Sequence, residues 1–173
     1  MGRILKRIFK GKEYRIIFCG LDFAGKSSLL YKMKFDLITT IDPTIGFNVE
    51  KIHRNKKKYK IWDLGGQYNL RQLWKYYFLN CNALVFVIDS SDRERIDEAK
   101  EEFDKLMTQD ELKGISFLIY ANKQDINGAM SCDEIINKLS LHKLNDRKWH
   151  IQPLVAIRGD GIEEGLDWIS RSV

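Results

Sequence analysis

No apolar run in this chain approaches the length needed to cross a membrane. The N-terminus lacks an apolar stretch ending in a small-residue cleavage site, so no secretory signal is expected. Cysteine is scarce. The 3 thiols, Cys19, Cys81 and Cys132, are odd in number, far apart and form no C-x-x-C pair, which argues against a disulfide framework and points to reduced thiols in a cytosolic protein. His53, His142 and His150 show no metal-ligand spacing and read as ordinary surface or packing residues. There is no internal repeat, low-complexity tract or Pro/Gly/Ser linker. What remains is a chain of 173 residues, 44% hydrophobic and 31% charged, which is the profile of one soluble domain with a sizeable core.

The net charge of +5 is unevenly spread. Residues 1–12 carry Arg3, Lys6, Arg7, Lys10 and Lys12 and no acid, and "KIHRNKKKYK" at 51–60 holds six more basic residues and no acid. Outside these two stretches acids outnumber bases. A nucleic-acid binder spreads positive charge over one face with aromatics among it, so no nucleic-acid partner is expected. Charge gathered in a tip and a turn suits a membrane surface better, with a solvated turn as the plainer reading of the second block. In "MGRILKRIFKGK", Ile4, Leu5, Ile8 and Phe9 fall on one helical face with bases around the rest, the pattern of an interfacial helix over residues 1–12.

The runs "YRIIFC", "ALVFVI" and "ISFLIY" are apolar throughout, as strands buried on both faces are. Helical patterns separate them. One is expected over Ser91 to Met107, with Ser91 and Glu94 at capping-box spacing, and another carries Ile162, Leu166 and Ile169. Residues 47–53 and 57–63 read as an antiparallel hairpin. The alternation predicts a three-layer α/β domain over 13–173, its sheet mostly parallel with one antiparallel hairpin and helices on both faces. Such sheets bind ligands at the carboxyl ends of their strands.

"GLDFAGKS" at 20–27 follows the first of those strands and fits G-x-x-x-x-G-K-[ST], a match that chance gives roughly once in 200 chains of this length. Consecutive backbone N–H groups over Asp22, Phe23, Ala24, Gly25, Lys26, Ser27 and Ser28 can wrap a polyphosphate. A helix starting near Gly25 aims its positive end at the same place. Lys26 would neutralise the outer phosphates, and Ser27 would give its hydroxyl to Mg²⁺, which takes oxygen ligands. Any one of these residues alone reads as an ordinary strand-helix turn; the complete motif does not.

In "WDLGGQ" at 62–67, Asp63 could hold that Mg²⁺ through water, Gly66 lets backbone N–H approach a γ-phosphate, and Gln67 is placed to orient a water for in-line attack. In "NKQD" at 122–125, the Asp125 carboxylate can accept from both N1–H and the 2-amino group of guanine, a pair that adenine lacks. Asn122 can hold the loop and base edge, and the stem of Lys123 can lie over the ring. Taken in this order, the motifs indicate GTP or GDP with Mg²⁺.

The chain resembles a small GTPase, and within that class the ADP-ribosylation factor (Arf) family. "GLDFAGKS", "PTIGFNVE", "WDLGGQ", "LWKYYF", "DSSDRERI", "ANKQD" and "GDGIEEGLDWIS" carry the resemblance across nearly the whole chain, closer to Arf proper than to Arf-like branches. The resemblance implies a switch that cycles between GDP and GTP, hydrolyses GTP slowly and recruits effectors to membranes in vesicular transport. Its expected partners are an exchange factor, an activating protein supplying an arginine, and coat or other effectors. Its expected place is cytoplasmic, peripheral on the cytosolic face of membranes, at the Golgi. It also implies that Thr44 joins Mg²⁺ when GTP is bound and that Ala156 offers its N–H to the guanine oxygen. Phe47, Trp62, Trp74 and Tyr77 fall where the family displays an aromatic effector patch, with ordinary core as the competing reading, for Trp62 in particular. Gly2 is the expected myristoylation site, although Lys6 stands where the general motif asks for Ser or Thr.

Three positions depart from the family pattern: Phe23 where a small residue is usual, Ser27 in place of threonine, and Ile157 where a hydroxyl residue is typical. No arginine lies between Leu37 and Asn48 to act as an internal finger, and Asp22 puts negative charge near the γ-phosphate, so hydrolysis is expected to need a partner's arginine. The alternatives are a metabolic P-loop kinase or ATPase, which "NKQD" argues against; a module that holds GTP without hydrolysing it, which Gln67 argues against and Phe23 alone favours; and, last, a metal-independent scaffold.

Overall fold

The computed structural model describes residues 12–36, 42–54 and 56–173. The expected N-terminal helix and Gly2 lie outside the described residues. Six strands form one sheet in the order β2-β3-β1-β4-β5-β6. They are β1 (Glu13–Cys19), β2 (Phe47–Arg54), β3 (Lys57–Leu64), β4 (Ala83–Asp89), β5 (Ser116–Asn122) and β6 (Trp149–Pro153). The β2–β3 pair is antiparallel and every other pairing is parallel. The three apolar runs become β1, β4 and β5, the central strands, and β4 and β5 are buried almost end to end.

Both faces are covered, which is why those strands do not alternate. On one side Ile16, Phe18, Val85 and Leu118 pack with Leu29, Leu30 and Met33 of α1 (Lys26–Phe35) and with Leu166 and Ile169 of α5 (Ile162–Ser172). On the other, Ile17, Phe86 and Phe117 pack with Phe103 and Leu106 of α3 (Ile96–Met107) and Ile135 and Leu139 of α4 (Cys132–Leu139). A four-residue helix, α2 (Tyr68–Arg71), follows β3.

The expected start of the third helix is corrected. α3 begins at Ile96, and Ser91 makes no capping box. Its hydroxyl and backbone N–H both donate to Asp89 Oδ1, at 2.6 and 2.9 Å, so the Asp89 carboxylate holds the chain in a turn before the helix starts. The capping box lies instead at α4, where the Ser131 hydroxyl accepts from Glu134 N–H and the Glu134 carboxylate accepts from Ser131 N–H.

Candidate nucleotide site

The sheet order reverses around β1, with β3 on one side and β4 on the other, and the loops after β1 and β3 meet at their carboxyl ends. The loop from Gly20 to Gly25 turns sharply into α1. Gly20, Phe23 and Gly25 all take positive φ, at 141°, 63° and 97°. Glycine adopts that region freely, whereas Phe23 does so at a cost of about 1–2 kcal/mol. Two glycines here also make room. A Cβ on Gly20 would stand 2.3 Å from the Val87 carbonyl oxygen, and one on Gly25 would stand 2.3 Å from Asn122 Nδ2.

α1 starts at Lys26 with no side-chain cap and no acid in its first turn. Its leading N–H groups and dipole therefore face the loop uncompensated. Lys26 is buried, and its ammonium donates to the Gly20 and Leu21 carbonyls at 2.9 and 2.8 Å. Burial lowers its pKa below the usual lysine value, against the favourable charges of Asp63, Cys19 and Asp22.

Thr44, from the segment before β2, reaches into this corner. Its hydroxyl lies 2.7 Å from that of Ser27 and donates to Asp63 Oδ2 at 3.3 Å, while Ser27 donates to the same carboxylate oxygen at 2.5 Å. Asp63 is fully buried, and burial raises its carboxyl pKa despite the Ser27 and Thr44 hydrogen bonds and the Lys26 charge. The other oxygen, Asp63 Oδ1, is buried with no hydrogen-bond partner. Two hydroxyls and a carboxylate with one unspent oxygen suit a hard divalent cation with bound water, so these residues fit Mg²⁺.

The loop after β3 closes on the phosphate loop. Asp22 N–H donates to the Gly66 carbonyl at 3.1 Å, and a Cβ on Gly66 would stand 2.5 Å from Asp22 N and Gly20 O. Gln67 is the N-cap of α2 and lines the same cleft as Asp22, Phe23, Lys26 and Thr44. Ser28 and Lys123 line it as well, and so do Asp42 and Pro43, which the sequence motifs do not mark.

Asp22 is held by two arginines that motif reading missed. Arg95 donates to its Oδ1 at 2.8 Å and to its carbonyl at 3.0 Å, and Arg71 lies 3.5 Å away. Arg71 is itself buried and donates to the Gly66 carbonyl at 2.7 Å and to Glu98 at 2.7 Å. The Asp22 charge, expected to lie near a γ-phosphate, is thus partly offset by two cations. "DSSDRERI" contains Arg95, but only the fold brings residue 95 to residue 22.

At the other end of the cleft, Asn122 ties two loops together. Its Nδ2 donates to the Ala24 carbonyl at 2.9 Å, and its Oδ1 accepts from Ala156 N–H at 3.0 Å. The Ala156 N–H, expected to meet a guanine oxygen, is here bonded to Asn122. Asp125 is exposed at the rim, and Lys123 pairs with Asp89 at 2.5 Å. Ile157 is 47% exposed, and Phe23 at 69% points outward from the loop.

The aromatic expectation divides. Phe47, Trp62 and Tyr77 form one cluster, with ring centroids 5.1 to 5.7 Å apart, and Phe47 is exposed. Trp74 is not displayed. It is buried, and its indole N–H donates to the Gly65 carbonyl at 2.9 Å, so it props up the loop after β3 from within the core.

A six-stranded, mostly parallel sheet with a glycine-turned phosphate loop, a hydroxyl-carboxylate cation corner and an Asn-Lys-x-Asp loop defines a small GTPase. The family model described as the ADP-ribosylation factor family matches residues 1–173, and this chain belongs to that family. It is 56% identical over 168 residues to ADP-ribosylation factor J of Dictyostelium discoideum, covering 96% of this chain and 89% of the relative. ADP-ribosylation factor K of the same organism is 55% identical with the same coverage. Among solved structures, the Arl6 BBS3 small GTPase of Trypanosoma brucei with bound nucleotide analogue GppNp matches with a TM-score of 0.85 at 30% identity, over 94% of this chain and 100% of that one.

Proposed function

We propose that this Arf-family small GTPase is a membrane switch: GDP and GTP select between two shapes, and the GTP shape recruits effectors in vesicular transport. The observation that carries this reading is the meeting of Ser27, Thr44 and Asp63 from three separate segments. Thr44 belongs to the segment leading into β2, so whatever occupies this corner fixes that segment. A Mg²⁺ ion would be held by Ser27 and Thr44 directly and by Asp63 through water, and would neutralise charge between phosphates.

Lys26 is placed to leave the Gly20 and Leu21 carbonyls for phosphate oxygens, and the first-turn N–H groups of α1 point the same way. Gln67 would orient the attacking water. Both arginines near the cleft, Arg71 and Arg95, are engaged with carboxylates, which supports the need for an arginine from an activating protein, worth about 10³–10⁵ in rate. Asp125 would read guanine. Phe47, Trp62 and Tyr77 would meet effectors. Residues 1–12, with a myristoyl group on Gly2, would carry the chain to the cytosolic face of membranes, with the Golgi as the proposed site. One acyl chain gives only about 10⁴ M⁻¹, so the basic residues beside it are needed.

Single-turnover hydrolysis of GTP with and without an Arf-type activating protein tests the reading. Slow turnover alone and strong acceleration with activator are expected. Rapid loss of GTP by the purified protein alone would overturn it.

A further inference from the structure

Only the third phosphate distinguishes GTP from GDP, so a fixed charge at that end of the cleft acts mainly on GTP. Asp22 carries such a charge. It lines the cleft with Lys26, Gly66 and Gln67, away from Asn122 and Ala156 at the other end. Its field reaches the phosphate end: burial lowers the Lys26 pKa, and Asp63 and Asp22 are the carboxylates that oppose the shift. A bare carboxylate there would repel a γ-phosphate.

Arg95 stands against that charge, and it is held ready from behind. Its N–H donates to Asp92 Oδ1 at 3.2 Å and its Nε to Asp92 Oδ2 at 2.7 Å. The turn that carries both residues is closed by Asp89, which takes the Ser91 hydroxyl and N–H on one oxygen and Lys123 on the other. With Nε fixed, the terminal nitrogens are left for Asp22: Nη1 donates to Oδ1 at 2.8 Å and Nη2 to the Asp22 carbonyl at 3.0 Å. Arg71 lies farther off, at 3.5 Å, and its closer bonds go to Glu98 and the Gly66 carbonyl, both at 2.7 Å. We propose that Arg95 is a positioning residue that sets the preference for GTP over GDP, by pinning the Asp22 carboxylate and offsetting its charge beside the place of the γ-phosphate. The inference rests on the guanine-nucleotide reading above. A competing role, a tether that only stiffens the phosphate loop, would act on both nucleotides alike, because the bond to the Asp22 carbonyl restrains the loop whichever is bound.

The test is a double-mutant cycle on the full-length protein: parent, Arg95→Gln, Asp22→Asn and the double variant, with Arg95→Lys as the conservative replacement. Affinities for GDP and for a non-hydrolysable GTP analogue are measured with Mg²⁺ present, and thermal melts report the cost to the fold. The paired side chains are 31% and 26% exposed, so solvent moderates the charge effect, and Arg95→Gln should lower the GTP-to-GDP affinity ratio by about tenfold. Arg95→Lys should recover part of the ratio, since it keeps the charge and loses the two-pronged contact. In the Asp22→Asn background the carboxylate is gone, so Arg95→Gln should no longer move the ratio. Equal losses for both nucleotides, with the ratio unchanged, would overturn the proposal and leave Arg95 a tether. A shift in the ratio of the same size with and without the Asp22 carboxylate would overturn it too. A parent that retains neither nucleotide would overturn the reading of the cleft itself, and the proposal with it.

Discussion

Asn122 Nδ2 donates a 2.9 Å hydrogen bond to the carbonyl of Ala24, joining the loop after β5 to the phosphate loop across 98 residues of sequence. The same side chain takes the Ala156 N–H on its oxygen. One buried amide thus couples the two ends of the cleft. Asn122→Ala leaves a buried carbonyl and a buried N–H unpaired, each costing about 1–3 kcal/mol. The expected result is nucleotide release faster by about tenfold or more, with thermal unfolding also lowered. Dissociation of a fluorescent GDP analogue measures it, and an unchanged rate would show that the link does not hold the site together.

Arg71 makes the second coupling. Its side chain is 4% exposed and reaches Asp22, Glu98 and Glu102 as well as the Gly66 carbonyl. Removing one partner of a buried pair costs about 3–5 kcal/mol, and the partial exposure of Asp22 and Glu98 puts Arg71→Ala at or below the lower end. A thermal melt should show a drop of several degrees. A melt like the parent's would mean the three carboxylates find other partners.

Gln67→Leu keeps the α2 cap backbone and removes the amide proposed to orient the attacking water. GTP should still bind, and hydrolysis should no longer respond to an activating protein. Parallel binding and single-turnover assays separate the two, and activator-stimulated hydrolysis like the parent's would remove Gln67 from the mechanism.

The thiols give a pH-linked expectation. Burial raises the Cys19 thiol well above its ordinary value, pushes Cys81 up to about 12 and raises half-buried Cys132. The thiolate is the reactive form, so a raised pKa means less of it at any pH below that value. At pH 8 the folded protein should react slowly with a disulfide reagent, Cys132 first, and all three thiols should react promptly once unfolded. Fast labelling of Cys81 in the native state would contradict the packing around it.

Much of the fold was legible because its signals are local. Strands buried on both faces read as unbroken apolar runs, and the hairpin alternates. The strand boundaries fell within a residue or two, whereas the third helix starts five residues after its expected start. What failed depended on tertiary partners. Ser91 has a capping residue's chemistry, but Asp89, two residues earlier, claims its hydroxyl. β6 reads "WHIQP", polar at alternate positions and half-buried, and gave no strand signal. In the site, spacing marked the phosphate loop, Asp63 and the Asn-Lys-x-Asp loop as candidates, and the fold sets the first two side by side. It could not reveal that Trp74 turns inward, that Ala156 bonds to Asn122, or that Arg71 and Arg95 converge on Asp22. Those are contacts between segments far apart in the chain.

The central claim is that guanine nucleotide, with Mg²⁺ at Ser27, Thr44 and Asp63, is what this cleft holds. Titrating the purified protein with GDP, GTP and ATP, with and without Mg²⁺, tests it most directly. The account predicts tight binding of both guanine nucleotides, weaker when Mg²⁺ is removed, and negligible binding of ATP. Preference for ATP, or no retained guanine nucleotide at all, would contradict it.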